Sequence, residues 1–135
     1  MSNALALCAF DKALAYAQER EQFDQPISDF QGIQWKLAEM AKSVQASRSL
    51  TYAAAKGAEN NNGTPDRLQT SIAKLFSAQM VEQVTSEALQ IHGATGYMKG
   101  HPVEWLYRRA RSRRIGAGTD EIQKNNIAEA ILKRN

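Results

Sequence analysis

"ALAYAQEREQFDQPISDFQGIQWKLAEMA", residues 13–41, decides how the chain folds. The two ends of the stretch carry apolar residues at helical spacing, and its middle cannot be helical. On the N-terminal side Leu7, Phe10, Leu14 and Ala17 recur at intervals of three and four, which predicts a helix from Leu5 to Arg20. Pro26 lacks a backbone N–H and clashes with the preceding turn of a helix, so "EQFDQPISDFQ" reads as a turn. Ser28 and Gln31 stand at capping-box spacing and restart a helix near Asp29. Ile33, Leu37, Met40 and Val44 line that helix, and the pattern fades through "AAAKGAE".

The same alternation of helix and break continues outward. "NNNGTPD" is the clearest break, with Thr64 as an expected N-cap and Pro65 at the first helical position. A third helix carries Leu68, Ile72, Leu75, Val84 and Ala88 and is expected to stop near "HGATGY". A short helix follows Pro102. After the Gly116–Gly118 turn, Thr119 caps a last helix bearing Ile122, Ile127, Ala130 and Ile131. No segment alternates with period two for long enough to form a strand. The expected fold is therefore all-α: an up-down four-helix bundle with an additional C-terminal helix. Residues 1–4 read as an expression scar without weight in the fold, and residues 5–135 as one domain.

Composition narrows the function. The 135 residues are 43% apolar and 23% charged, ordinary for one globular domain. A formal charge of +3 is too small to imply a nucleic-acid partner. Arg108, Arg109, Arg111, Arg113 and Arg114 would spread around a short helix, as a solvated surface or an intersubunit salt-bridge belt. The lone Cys8 excludes an internal disulfide and an all-cysteine metal site, and the spacing of His92 and His101 suggests no metal site. No apolar run is long enough for a membrane span, and no secretory signal pattern is present, so the expected location is cytoplasmic.

Three stretches carry candidate chemistry. In the first, Arg20 offers a planar fork to a phosphate or carboxylate, and Phe23 a flat face to a ring system; equally, they read as a C-terminal cation and a packing aromatic. In the second, Gly93, Gly96 and Gly100 crowd a helix exit where a backbone can approach a ligand, and Gln90 can donate and accept; a C-cap with Gly93 in the left-handed region explains the same residues, and His92 reads as structural. In the third, Gly118 and Thr119 open a helix whose free N–H groups favour an anion. Asp120 and Glu121 oppose a bare phosphate there, and a neutral ring or ribose edge suits the site better. Trp35, Leu50, Phe76, Met80 and Leu89 lie off the main apolar rows and predict a second buried surface, in a homodimer or homotetramer.

Order and spacing join these stretches. "ALAYAQEREQFDQPISDFQGIQWKLAEMA", "QIHGATGYMKGHPVEWLYRRAR" and "IGAGTDEIQ" together resemble the C-terminal α-domain of acyl-CoA dehydrogenases over nearly the whole chain. The resemblance implies an FAD-dependent parent that removes two hydrogens from an acyl-CoA thioester, a glutamate taking the α-proton while the flavin takes the β-hydride. It implies electron-transferring flavoprotein as partner, and a cytoplasmic or mitochondrial-matrix location. Arg20, Gln22 and Phe23 match the family's FAD-contacting Arg-x-x-Phe segment, and Phe30 and Gln31 a further FAD-contacting pair. Gln90, Gly93 and Ala94 match the segment that reaches the adenosine-diphosphate half in a neighbouring subunit, with Gly93-Ala94 in place of the common Gly-Gly. Arg109 stands where the family often has Asp. Thr119 and Glu121 match the turn after the catalytic position. Many members read Tyr-Glu-Gly-Thr there, with that glutamate as base. Here Ala117 occupies the place and accepts no proton, so no catalytic residue is assigned. "IGAGT" resembles the isovaleryl-CoA dehydrogenase subgroup, whose glutamate lies on the helix opening this domain, one or two turns before Met1. A flavin-dependent oxidase or monooxygenase relative, which needs no carboxylate base, and a standalone oligomerisation module are the alternatives.

Overall fold

The computed structural model of the protein describes residues 1–133; Arg134 and Asn135, which close the expected domain, lie outside the described residues. Three long helices, α1 (Ser2–Glu19), α2 (Gln31–Glu59) and α3 (Arg67–His92), are followed by the single turn α4 (Ala94–Tyr97), the short α5 (Pro102–Arg111) and the terminal α6 (Asp120–Leu132). The all-α bundle with an added C-terminal helix is as expected, and α4 is an extra turn within the glycine-rich exit of α3. At the centre stands α3, which packs against α1, α2, α5 and α6. Helix α1 starts at Ser2, and Asn3 bonds Ser47 and Thr51 of α2 (2.5 and 3.2 Å), so residues 2–4 form a helical turn packed on α2.

The core uses smaller residues than the apolar periodicity selects. Ala6, Ala9, Ala13 and Ala17 are fully buried on α1, while Leu7 is exposed. Alanine lets α1 lie close against α3, whose Met80, Val81, Val84, Ala88 and Ile91 join the cluster with Met40 and Val44 of α2 and Val103, Leu106 and Ala110 of α5. Ile72 is exposed, whereas Ser71 and Ala73 beside it are buried; Met80 is core, not a spare surface residue. Leu50 is half-buried, and Leu89 packs partly against the core. On α6 the buried residues are Asp120 and Gln123, with Ile122 and Ile131 exposed.

Two expected caps are corrected. Ser28 lies in a 3-10 turn, Ile27–Asp29, and the N-cap of α2 is Phe30, which makes no side-chain cap bond. The Pro26–Asp29 kink takes Ser28 out of capping position, and its carbonyl accepts from Gln34 Nε2 instead (3.0 Å). Asp66, not Thr64, caps α3, its carboxylate accepting the Gln69 N–H at 2.7 Å. A carboxylate there also complements the helix dipole. The caps on α5 and α6 are His101 Nδ1, accepting from Val103 N, and Thr119 Oγ1, accepting from Ile122 N (3.4 Å). No helix among the described residues is long and apolar enough to cross a membrane.

Candidate functional site

The turn after α1 is a hairpin. Strands β1 (Glu21–Gln22) and β2 (Gln25–Pro26) pair antiparallel, with Glu21 opposite Pro26. Phe23 and Asp24 form its two-residue loop with φ of 54° and 61°. Positive φ at both central positions marks a type I′ turn, which matches the twist of the strands but normally calls for glycine at one of them. Phe23 is 89% exposed and meets Phe30 edge-on, ring centroids 6.1 Å apart. Arg20, the C-cap of α1, and Gln31, the first residue of α2, are exposed beside it. Gln22 folds back on the Glu21 carbonyl at 2.7 Å. The hairpin thus gathers Arg20, Gln22, Phe23, Phe30 and Gln31 at one end of the bundle.

The exit of α3 adjoins this end. Tyr16 of α1 stacks on His92 with ring centroids 4.4 Å apart. His92 is buried, and its Nδ1 lies 2.7 Å from the Ala88 carbonyl, which accepts from it. Burial, despite that bond, holds the imidazole below its ordinary pKa, and His101 and Lys12 add to the effect. His92 is therefore a neutral packing residue. Gly93 turns the chain with φ 59° and ψ −143°, a combination open essentially to glycine alone rather than the expected left-handed helical one. Gly96 is buried against His92, where an added Cβ would come within 2.5 Å of His92 Cβ. Gln90, Gly93 and Ala94 stay exposed.

The third stretch lies elsewhere. The Gly116–Thr119 turn is tied to the middle of α3: Lys74 Nζ donates to the Gly118 carbonyl, and Gln79 Nε2 donates to Asp120 Oδ2 at 3.2 Å. Thirteen residues of α3 separate Gln79 from His92, about 20 Å of helix rise. Thr119 and Glu121 therefore form a patch of their own, apart from the hairpin end. Ala117 has φ 57° and is exposed; its methyl group offers no proton acceptor. The Glu121 carboxyl is fully exposed and held below its ordinary pKa by its own backbone N–H and then by the Thr119 hydroxyl.

A charged cluster missed from sequence underlies this patch. Arg114 Nε meets Asp120 Oδ2 at 2.7 Å and Arg114 Nη1 meets Glu82 Oε2 at 2.8 Å; Arg111 Nε reaches Glu82 Oε1 at 3.4 Å. Asp120 is buried. Its burial opposes ionisation, but bonds from Gln79 and Arg114, with Lys74 nearby, outweigh this and hold the carboxyl below its ordinary pKa. The basic run is thus partly consumed inside the chain, Arg108 also pairing with Glu104 at 3.2 Å. Local spacing carried no sign of Glu82, which lies far away in sequence.

The family profile for "Acyl-CoA dehydrogenase, C-terminal domain" matches residues 1–132. The "Probable acyl-CoA dehydrogenase YngJ" of Bacillus subtilis is 45% identical over 133 residues, 98% of this chain and 34% of that protein. The 3-sulfinopropanoyl-CoA desulfinase of Cupriavidus necator is 40% identical over 128 residues, 95% of this chain and 32% of that protein. The structure of butyryl-CoA dehydrogenase from Megasphaera elsdenii superposes with a TM-score of 0.91 at 35% identity, over 97% of this chain and 34% of that one. The chain spans about a third of each of these relatives, and a desulfinase among them means that the likeness does not single out the isovaleryl subgroup. By fold, by the order of its motifs and by these matches, the chain belongs to the acyl-CoA dehydrogenase family and forms its C-terminal helical domain.

Proposed function

We propose that this chain is the FAD-contacting and assembly domain of a flavoenzyme that dehydrogenates acyl-CoA thioesters. The observation that carries the reading is the end of the bundle where the hairpin and the α3 exit meet. An exposed phenylalanine, held out on a strained turn, stands with an exposed arginine and glutamine beside a glycine-lined backbone. That set fits FAD: an aromatic face for a ring, a guanidinium for a pyrophosphate, amide and open backbone for a sugar edge. Arg20, Gln22, Phe23, Phe30, Gln31, Gln90, Gly93 and Ala94 would hold one part of a flavin, and Thr119 and Glu121 another. The distance between the two patches supports a flavin shared between subunits. Bound FAD supplies the hydride acceptor. The residues of this chain bind and orient; with Ala117 at the turn they abstract no proton, and the base comes from another part of the full-length enzyme.

Trp35 and Phe76, both still exposed, would lie in a homodimer or homotetramer interface. Electron-transferring flavoprotein is the proposed acceptor, and the cytoplasm or mitochondrial matrix the proposed location. One observation favours a second reading: the Cupriavidus relative, at 40% identity, is named a desulfinase, and Ala117 of this chain offers no carboxylate at the turn.

The test is dye reduction by the full-length subunit with a panel of acyl-CoA thioesters. Turnover with saturated thioesters is expected, together with loss of FAD on gel filtration in an Arg20→Ala, Phe23→Ala variant. With 3-sulfinopropanoyl-CoA added to the panel, sulfite release without dye reduction would favour the second reading. FAD retained undiminished by that variant would remove the hairpin from the site. This chain alone, with FAD added, is expected to give no turnover and to bind FAD weakly, because a large cofactor needs many contacts to offset its lost freedom.

A further inference from the structure

Within its own stretch, the turn that leads to Thr119 and Glu121 is tied by the Gly116 N–H to the Ser112 carbonyl (2.9 Å) and, at 3.5 Å, by Gln123 Nε2 to the Gly118 carbonyl. Gly116 and Gly118 flank Ala117, and Ala117 and Gly118 both have positive φ. The single-residue steps of such a turn are soft unless something outside fixes them. Here two cations reach it from either side. The Lys74 ammonium, on α3, takes the Gly118 carbonyl just before the helix. The Arg114 guanidinium takes the Asp120 carboxylate in the first residue of the helix, and with its other nitrogen takes Glu82 of α3. Arg114 is thus a strut between the central helix and the start of α6. Its planar fork suits this double engagement, which an ammonium on a single nitrogen cannot reproduce.

We infer that Arg114 is a positioning residue: by bridging Glu82 and Asp120 it fixes the Gly116–Thr119 turn on α3 and so sets where Thr119 and Glu121 stand. The charged groups around this bridge are Lys74 and Glu82 from α3, Arg111 from the end of α5, and Glu121 on α6 itself. Gln79 adds a neutral donor to Asp120 Oδ2, while Asp120 Oδ1 is buried without a protein partner. Among the described residues, Arg114 then makes the one full cationic hydrogen bond to this buried carboxylate, and its loss leaves Asp120 with the Gln79 amide. What the positioned turn serves, contact with flavin, rests on the function proposed above.

The test needs no flavin. In the 15N-labelled chain, Gln123 N–H bonds the Thr119 carbonyl at 3.0 Å, and Ile122 N–H faces the Thr119 hydroxyl, so both amides report on the turn. Arg114→Met keeps an apolar stem and removes the fork. It is expected to speed hydrogen exchange at Ile122 and Gln123 by about tenfold beyond any change in the interior amides of α1. With the α1 amides unchanged, so that the variant is still packed, it is also expected to raise the pH at which the Asp120 carboxyl carbon titrates, since burial still opposes ionisation while the guanidinium that favours the charged form is gone. Arg114→Lys should fall between the parent chain and Arg114→Met, since its three donors radiate from one nitrogen and lack the two-nitrogen spread with which the guanidinium meets Asp120 and Glu82. Glu82→Gln, which spares the buried carboxylate, should loosen the same two amides less, and decides the matter if Arg114→Met does not fold. Unchanged exchange at Ile122 and Gln123, a uniform rise through the whole bundle, or an unmoved Asp120 titration would overturn the inference. Local loosening together with unaltered FAD retention in a full-length Thr119→Ala protein would support it while removing Thr119 from the flavin site.

Discussion

The two patches of this domain are held in opposite ways. At the hairpin end the geometry is written into the backbone: two non-glycine residues in left-handed conformation, a glycine-only turn at Gly93, and aromatic stacking of Tyr16 on His92. Its candidate ligand-facing side chains are exposed apart from the half-buried Phe30. At the α6 end the turn is held by side chains from far away in sequence: Lys74, Gln79, Glu82 and Arg114 converge on Gly118 and Asp120. The first end holds its shape through local strain, the second through charge. A binding surface that must present a bare aromatic cannot also spend that ring on the core, so strain at the turn is the means left to hold it out.

The comparison predicts where each end breaks. The largest effect belongs to Arg114→Met. Breaking a buried ion pair costs about 3–5 kcal/mol, and a guanidinium with 38% of its side chain exposed loses less, so about 2–3 kcal/mol of stability should go. Urea denaturation of the variant measures it. Gly118→Ala comes next. Its φ of 87° is unfavourable for alanine, and the new Cβ would fall 2.5 Å from the movable Gln123 Nε2, so a loss of about 1–2 kcal/mol is expected from the same denaturation series.

Acid should separate the two ends in a smaller, graded way. His92 has a folded pKa below its ordinary value of 6.5. The unfolded chain then takes up the proton first, so its contribution is complete above pH 6.5 and is lost as pH falls from there through the folded pKa. Asp120 also has a depressed pKa, below its ordinary 3.8, so its contribution is present above pH 3.8 and lost as pH falls through the lower folded value. Amide exchange followed between pH 7 and pH 3 should therefore loosen the α3 exit before the α6 turn. Simultaneous loosening would contradict the division. The smallest effect is a gain: Asp24→Gly relieves one left-handed non-glycine residue, and the thermal midpoint should rise with about 1 kcal/mol of added stability.

How much of this was legible follows from the range of each interaction. The long helices and their breaks were readable because periodicity, Pro26 and "NNNGTPD" act within a few residues. An apolar count favours Leu7 and Leu14 over Ala6, Ala9 and Ala13, whereas the close approach of α1 rewards the smallest side chains. Pro65 favours Thr64 as a cap by sequence, but Asp66 supplies both an acceptor and a charge for the dipole. The motif residues of the hairpin could be named from their order, though not the strain that exposes Phe23. Glu82 and Asp120 gave no sequence signal as partners of Arg114: a bridge between a mid-helix glutamate and a helix start exists only after the bundle packs.

The central claim is that the hairpin and the α3 exit form one flavin-contacting surface. A 15N NMR titration of this chain with FAD tests it most directly. Weak, saturable shifts are expected at the amides of Arg20, Gln22, Phe23, Phe30, Gln31 and the Gln90–Ala94 segment, moving together along one binding curve. Shifts confined to other faces of the bundle, or none at FAD concentrations up to the solubility limit, would contradict it.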